Sequence, residues 1–197
     1  MGRVYGAPPN RTHRVLWMLE EAALPYELVR LSTAQEIAAS EALGRLNPNR
    51  RVPVLVDGEA VMWDSCAINL FLAERHRVLR PRSEVARAQA VQWSIWVQSE
   101  VDAGVVAALK HRVSLPEAER GERAVRASTA VLERALADRD YLLGDGFTIA
   151  DRNVASVLSL AKPAGLDLSE TPRVHTWLRS CFGRPAAKKV FALARAG

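Results

Sequence analysis

One stretch constrains the fold of this chain more than any other, because it contains a hairpin followed at once by the start of a helix. Val52 to Val56 is a short β-rich run, Asp57-Gly58 supplies a two-residue turn, and Ala60 to Trp63 forms the returning strand. An apolar helical pattern then begins in the segment AINLFLA. The stretch therefore predicts a strand, a tight turn, a second strand and a capped helix.

Two features of this stretch indicate a binding site. Pro53 removes a ladder donor, so Val52-Pro53 is not ordinary sheet interior, and a cis bond would turn the Val52 backbone outward toward an extended peptide. Asp64 and Ser65 stand at a helix start, where free N–H groups favour a carboxylate, while the Asp64 carboxylate suits an ammonium. An amino-acid head group carries both charges. The alternatives are a structural bend at Val52-Pro53 and a simple helix cap at Asp64-Ser65.

The order of predicted elements divides the chain into two parts. The elements expected before the hairpin are a strand at Arg3–Ala7, a helix at Arg11–Ala23, a strand at Tyr26–Leu31 and a helix at Glu36–Leu46. With the hairpin, this gives βαβ–α–ββα. Only helical patterns follow; the first extends from Glu84 to about Arg112. The sequence predicts an α/β domain over residues 1–77, a linker over 78–83 and an all-helical domain over 84–197.

The string RVPVL, the hairpin and the acid-Ser-x-Ala-Ile pattern after it resemble the glutathione-binding half of the bacterial-type cytosolic glutathione transferase family. The runs GDGFTIADRNVA and TWLRSCFGRPAAKKV resemble its C-terminal segments. The resemblance implies a thioredoxin-like domain followed by a helical bundle. It also implies a detoxifying homodimeric enzyme that adds the glutathione thiolate to a small hydrophobic electrophile, or uses it to reduce disulfides or peroxides.

The resemblance assigns glutathione, the expected co-substrate, to five residues. Val52 would pair its backbone with the cysteinyl unit, and Pro53 would fix that turn. Asp64 and Ser65 would hold the γ-glutamyl head group. Arg51 would reach the glycyl carboxylate, unless it is only a surface charge.

The chain departs from the family near the end of the first strand, where relatives place a Tyr, Ser or Cys that donates to the sulfur. Here that position falls on Pro9 or Asn10. Lowering a thiol pKa by ~2 units needs about 2.7 kcal/mol, and the Asn10 amide is a suitable donor, with Arg11 or Thr12 assisting. The alternative for Asn10 is a plain helix cap. A second departure is Arg50, where relatives often carry glycine.

The resemblance implies an electrophile pocket between the domains. The candidates for its wall are Trp93, Trp96, Val97 and His111; the alternative for each of them is a core or dimer contact. Thr148 and Asp151 instead form a capping-box pattern, which we interpret as structural.

Composition argues against several other classes of function. The formal net charge is +5, but no basic run carries interleaved aromatic residues, so nucleic-acid binding stays an alternative that rests on the Arg75–Arg82 cluster. No apolar run approaches a membrane span of ~20 residues, no signal peptide is visible, and Cys66 and Cys181 match no metal-binding spacing. We therefore expect a cytoplasmic protein without metal, membrane or nucleic acid. A glutathione-binding module without turnover is the principal alternative.

Overall fold

A mixed four-stranded sheet organises the first part of the chain. The computed structural model describes residues 2–8, 10–109, 114–144, 146–161 and 163–196. The strands are β1 (Gly2–Tyr5), β2 (Tyr26–Val29), β3 (Val54–Asp57) and β4 (Ala60–Trp63). Their order is β2-β1-β3-β4; β1 runs parallel to β2 and antiparallel to β3, and β3 pairs antiparallel with β4. The predicted hairpin is confirmed.

The helices that lie between these strands in sequence, or directly follow them, are α1 (Thr12–Glu21), α2 (Ala34–Ala39), α3 (Glu41–Leu46) and α4 (Ser65–His76). The prediction of one helix over Glu36–Leu46 is wrong, because the chain breaks at Ser40. Ser40 has extended backbone angles (φ −73°, ψ 102°), and its hydroxyl accepts a hydrogen bond from the Leu43 N–H at 3.2 Å. The residue therefore ends α2 and caps α3, as a serine outside a helix often does.

The core of this unit forms where the strands meet the helices. Tyr5 of β1, Val54 of β3 and Leu43 of α3 make one buried cluster. Two further apolar residues, Leu16 of α1 and Ile68 of α4, are completely buried. The apolar pattern read from the sequence thus faces inward on each of these elements.

The second unit is helical. Its elements are α5 (Glu84–Trp96), a π-helical segment (Val97–Asp102), α6 (Ala103–Ala108), α7 (Leu115–Ala135), α8 (Ile149–Leu158) and α9 (Pro172–Gly183). The continuous helix expected from Glu84 to about Arg112 is therefore interrupted by wider turns, and residues 110–113 lie outside the described part. At the interruption, the Ser128 hydroxyl of α7 donates to the Glu100 carbonyl at 3.1 Å, which gives that main-chain acceptor a partner from a neighbouring helix.

The predicted capping box at the start of α8 is confirmed. The Asp151 carboxylate accepts from the Thr148 N–H at 2.9 Å and hydroxyl at 3.0 Å, from the Leu142 N–H at 2.8 Å and from the Trp177 indole at 3.0 Å. Burial raises the pKa of Asp151, although these hydrogen bonds act in the opposite direction. Asp151 therefore ties together the start of α8, the preceding loop and α9.

The last helix, α10 (Pro185–Ala196), packs against α1 rather than joining the second unit. The Arg184 guanidinium donates to both Glu21 oxygens at 2.7 and 2.8 Å, and Lys189 Nζ lies 2.7 Å from a Glu20 oxygen. The two compact units are thus residues 1–78 with 184–197, and residues 79–183. The predicted helical domain over 84–197 differs at this element, because ion pairs hold it to a helix far away in sequence.

Candidate functional site

Three segments leave the sheet at one end, and they contain the residues predicted to contact glutathione. Val54 pairs with Tyr5 on one side and with Trp63 on the other. Because these residues lie level with one another, the segments that follow Tyr5, precede Val54 and follow Trp63 emerge together. The hairpin register therefore assembles the candidate site from parts that are distant in sequence.

Gly6 is the point where two of these segments meet, and the sequence interpretation missed it. Its φ is +132°, and a Cβ on this residue would lie 2.0 Å from Thr12 Oγ1 and 3.1 Å from Val52 Cβ. Only glycine accepts both this backbone angle and this space. The start of α1 and the turn that precedes β3 therefore both pack against Gly6. A glycine inside the strand predicted over Arg3–Ala7 was the available signal.

The side chain of Asn10 is held by its oxygen. Asn10 Oδ1 accepts from the Thr12 N–H at 2.9 Å and from the Thr12 hydroxyl at 2.6 Å. Because an N–H can only donate, the atom facing it is the amide oxygen, so the NH₂ is the other end. Within the described residues, that NH₂ makes no hydrogen bond. The helix cap therefore uses the side-chain oxygen of Asn10, and its side-chain NH₂ remains available within the described structure to donate to a ligand.

The other candidates near the sulfur position differ in exposure. Thr12 is completely buried, with its hydroxyl proton directed to Asn10, whereas Arg11 is exposed. Pro9 and the pocket candidate His111 lie outside the described residues. Tyr5, at the end of β1, is 94% buried and belongs to the core cluster.

The turn before β3 presents free backbone groups. The Val52–Pro53 peptide is cis, Pro53 is buried and Val52 is half-buried. In the part of the chain that the structure describes, neither the N–H nor the C=O of Val52 takes part in a hydrogen bond. Buried Asn47 supports the turn, because its Nδ2 donates to the Arg51 carbonyl at 2.8 Å. The Arg51 side chain itself is exposed.

Arg50 adopts the left-handed conformation that explains why glycine suits this position. Its φ is +49°, an angle that costs a non-glycine residue on the order of 1 kcal/mol. Arg50 Nη1 donates to the carbonyls of Ala38 at 3.0 Å and Ser40 at 3.4 Å, and the guanidinium packs over Gly44. These contacts connect the turn to the break between α2 and α3.

Asp64 and Ser65 begin α4 in different ways. Asp64 is exposed, with φ +71°, and its Oδ1 accepts from the N–H groups of Cys66 at 2.9 Å and Ala67 at 3.1 Å. Ser65 is only 1% exposed, and its hydroxyl has no hydrogen-bond partner among the described residues. The cap interpretation is therefore correct for Asp64, but it leaves the buried Ser65 hydroxyl unexplained.

The predicted pocket residues that the structure describes lie in the second unit. Trp93 and Trp96 are half-buried and meet edge to face, with ring centroids 5.1 Å apart and an interplanar angle of 86°. Val97 is completely buried and begins the π-helical segment. Ile95, between the two tryptophans, is 63% exposed.

Membrane spans and metal centres both leave recognisable features, and the described ranges contain neither. None of their helices combines the length and apolar character needed to cross a membrane. Over the same ranges, no three His, Cys, Asp or Glu side chains converge as metal ligands.

Comparison with known proteins decides the family. A model described as "Glutathione S-transferase, N-terminal domain" matches residues 10–75, and one described as "Glutathione S-transferase, C-terminal domain" matches residues 97–185. This chain belongs to the glutathione S-transferase family. The predicted fold, a thioredoxin-like domain followed by a helical domain, is thereby confirmed.

Individual relatives of this glutathione S-transferase cover nearly its whole length. Glutathione S-transferase GstB of Escherichia coli K12 is 30% identical over 188 residues, which is 90% of each chain. Disulfide-bond oxidoreductase YfcG of the same bacterium is 26% identical over 208 residues, covering 98% of this chain and 96% of YfcG. Glutathione transferase URE2P6 of Phanerochaete chrysosporium, solved with oxidized glutathione, superposes with a TM-score of 0.88 at 25% identity, over 99% and 96% of the two chains.

Proposed function

We propose that this protein is a glutathione transferase that binds glutathione at the end of the sheet in the first unit. The observation that carries the proposal is the buried Ser65 hydroxyl, which has no hydrogen-bond partner within the described ranges and lies at the start of a twelve-residue helix. Burying a hydroxyl without a partner costs roughly 1–3 kcal/mol. A ligand carboxylate at this position would accept from Ser65 and would also be favoured by the helix N-terminus.

The remaining contacts follow the length of the tripeptide. The Asp64 carboxylate suits the γ-glutamyl ammonium, since it is exposed beside Ser65. The N–H and C=O of Val52 suit the cysteinyl backbone, because a strand-like peptide supplies one donor and one acceptor in return. Arg51, exposed at the outer end of the turn, suits the glycyl carboxylate. Pro53 fixes the turn between these groups.

The sulfur is assigned to the Asn10 amide. Its NH₂ lacks a partner in the described structure and stands beside the start of α1. A donated hydrogen bond and a helix N-terminus both favour the thiolate over the thiol, so the thiol pKa falls toward neutrality. Thr12 acts through Asn10, because its hydroxyl proton is directed to Oδ1. Arg11 contributes positive charge from the surface.

The reaction is a substitution or addition by sulfur. The thiol proton passes to solvent, the thiolate forms a carbon–sulfur bond to the electrophile, and in a substitution the leaving group departs with the electron pair. We assign the apolar wall of the electrophile site to Trp93, Trp96 and His111, with the completely buried Val97 in the packing behind them. No metal takes part in this scheme.

Disulfide reduction is the second candidate, and the similarity to YfcG favours it. The same thiolate would attack one sulfur of a disulfide, form a mixed disulfide with glutathione and release the other sulfur as a thiolate. A second glutathione would then release the remaining thiol and leave as oxidised glutathione. To rank the two activities, the turnover rate with a model disulfide is compared with the turnover rate with a model aryl halide, both measured at the same glutathione concentration.

A glutathione titration followed by calorimetry and ultraviolet absorbance tests the proposal. We expect binding at sub-millimolar to millimolar glutathione and a thiolate band that persists at neutral pH. Absence of binding at millimolar concentration would refute the site. Binding without a shift in the thiol pKa would instead identify a glutathione-binding module without turnover.

We also propose a cytoplasmic homodimer. Exposed apolar side chains support self-association: Val61 and Trp63, 42% and 47% exposed, share one face of the edge strand β4. In the second unit, Val91 and Ile95 are 42% and 63% exposed one turn apart on α5. Sedimentation of the wild type and of Trp63→Glu tests this proposal. A monomeric wild type at micromolar concentration would refute it.

A further inference from the structure

The Asn10 carbonyl receives a hydrogen bond from a buried histidine ring. His13 is 3% exposed, and its Nδ1 lies 2.8 Å from the Asn10 carbonyl oxygen. Because a carbonyl can only accept, His13 Nδ1 carries the proton in this contact. The sequence offers no reason to single out this histidine, which resembles an ordinary packing residue of α1.

The contact matters because the first turn of α1 is tight. The N–H of His13 donates to the Asn10 carbonyl at 3.1 Å, and the N–H of Arg14 donates to the Arg11 carbonyl at 3.1 Å, so both bonds span three residues. Bonds of this kind have poorer geometry than the four-residue bonds of a regular helix. The imidazole gives the Asn10 carbonyl a second, side-chain donor at this weak point.

Asn10 is consequently fixed at three places. Its N–H donates to the Ala7 carbonyl at 3.2 Å, its carbonyl accepts from His13, and its Oδ1 accepts from Thr12. With backbone and side-chain oxygen both held, rotation about the Asn10 side-chain bonds is restricted, and the amide NH₂ keeps one direction. Donors that are already oriented favour an anion more than mobile donors do.

We propose that His13 is a positioning residue that orients the Asn10 amide toward the glutathione sulfur. The inference rests on the proposed role of Asn10 at the sulfur. His13 acts on the sulfur end of the tripeptide and not on the γ-glutamyl end, where Ser65 and Asp64 bind. Its loss should therefore weaken thiol activation without weakening the binding of glutathione in its protonated thiol form.

Two amide substitutions separate the hydrogen bond from the shape of the side chain. In His13→Asn, the side-chain NH₂ stands the same number of bonds from Cα as the imidazole Nδ1, so it can still donate to the Asn10 carbonyl. In His13→Gln, the NH₂ stands one bond further out, near the Nε2 position. His13→Leu removes the donor but keeps similar bulk.

The readouts are the pH dependence of thiolate absorbance in the complex, the glutathione Kd and kcat. We expect His13→Gln and His13→Leu to lower kcat at neutral pH about five- to tenfold, the effect of losing one hydrogen bond, and to raise the thiol pKa. The Kd, measured at a pH below the thiol pKa of every variant so that all of them bind the protonated thiol, should stay within about twofold. His13→Asn should recover most of kcat. Near-ultraviolet circular dichroism identifies variants that have lost the fold, and the Asn and Gln variants remain comparable if Leu is unstable.

Asn10→Ala separates failure of this inference from failure of the proposed function. If Asn10→Ala leaves the thiol pKa unchanged, the assignment of Asn10 to the sulfur is wrong. If Asn10→Ala raises the thiol pKa while His13→Gln behaves as the wild type, His13 does not position Asn10. Equal losses in His13→Asn and His13→Gln would also overturn the inference, because the retained donor would then have no effect.

Discussion

At the scale of single residues, Ser65 and Ser94 are both buried, but their hydrogen bonds lead us to opposite predictions for their replacement. The Ser94 hydroxyl donates to the Ala90 carbonyl at 2.7 Å and accepts from Asn153 Nδ2 at 2.9 Å. The Ser65 hydroxyl has no partner among the described residues. One serine therefore stabilises the fold without ligand, and the other is expected to contribute only when glutathione is bound.

We predict that Ser65→Ala weakens glutathione binding roughly ten- to hundredfold, since a hydrogen bond to a charged group contributes about 1.5–3 kcal/mol. The free energy of unfolding without ligand should stay the same or rise. Ser94→Ala, the matched control, should lower the free energy of unfolding by about 1–3 kcal/mol and leave the Kd unchanged. Calorimetry and denaturant titration measure both quantities. Destabilisation of the ligand-free protein by Ser65→Ala would contradict the assignment.

Arg50 shows what residue type alone cannot predict. The sequence marks it as a departure from glycine, which leaves the shape of the turn open. In the structure, the backbone φ of Arg50 is left-handed, and the Arg50 guanidinium donates hydrogen bonds to the carbonyls of Ala38 and Ser40. The turn thus retains the conformation that glycine permits, through contacts that reach ten and twelve residues back along the chain.

At the scale of elements, the approach of α6 and α7 depends on two glycines. A Cβ on Gly121 would lie 2.5 Å from the Gly104 carbonyl oxygen and 2.6 Å from the Ala108 nitrogen. Both are backbone atoms, so the helices would have to separate to admit a methyl group. Close helix packing here therefore has a steric origin that the apolar pattern does not reveal.

We predict that Gly121→Ala lowers the free energy of unfolding by about 1–3 kcal/mol, less any gain from the higher helix propensity of alanine. Gly183→Ala is the control, because a methyl group on this residue, at the end of α9, would meet no heavy atom within 4 Å. That variant should be neutral or slightly stabilised. Urea denaturation of the two variants gives the comparison, and equal stabilities would show that α6 and α7 separate without cost.

At the scale of the whole molecule, the ends of the chain meet through α1 and α10. Glu20 of α1 accepts from the Tyr26 hydroxyl at 3.0 Å and also pairs with Lys189 of α10. Burial, and then Glu20, raise the pKa of Tyr26 to about 12. Since an unfolded tyrosine has a pKa near ~10, the folded state holds this proton over a range of pH in which the unfolded state loses it.

The stability that Tyr26 contributes is therefore complete below pH ~10 and is lost as the pH rises toward about 12. We predict that Tyr26→Phe makes the free energy of unfolding fall less steeply between those values than it does in the wild type. Glu20→Gln should narrow the pH range over which this stability is lost, because it removes the second cause of the raised Tyr26 pKa. Denaturant unfolding at several alkaline pH values measures the slopes. Identical slopes in wild type and Tyr26→Phe would contradict the prediction.

The family followed from the resemblance of whole sequence motifs, among them RVPVL and TWLRSCFGRPAAKKV. Local chemistry was sufficient for the hairpin and for the capping box at Thr148, because each depends on residues a few positions apart: a two-residue turn, and a cap three residues before its partner. For the same reason, residue type and spacing were enough to select the candidate binding segments at Val52-Pro53 and Asp64-Ser65. The break at Ser40 was missed, because helical propensity on both sides concealed it.

Only the tertiary structure decided which polar atoms are already used. It assigns the Asn10 oxygen to Thr12, holds the Asn10 carbonyl with His13, and leaves Ser65 buried without a partner among the described residues. It also brings α10 to α1 through Arg184, across more than 160 residues. Sequence patterns report periodicity and local capping, whereas burial and hydrogen-bond saturation depend on which distant segments fill the space around each atom.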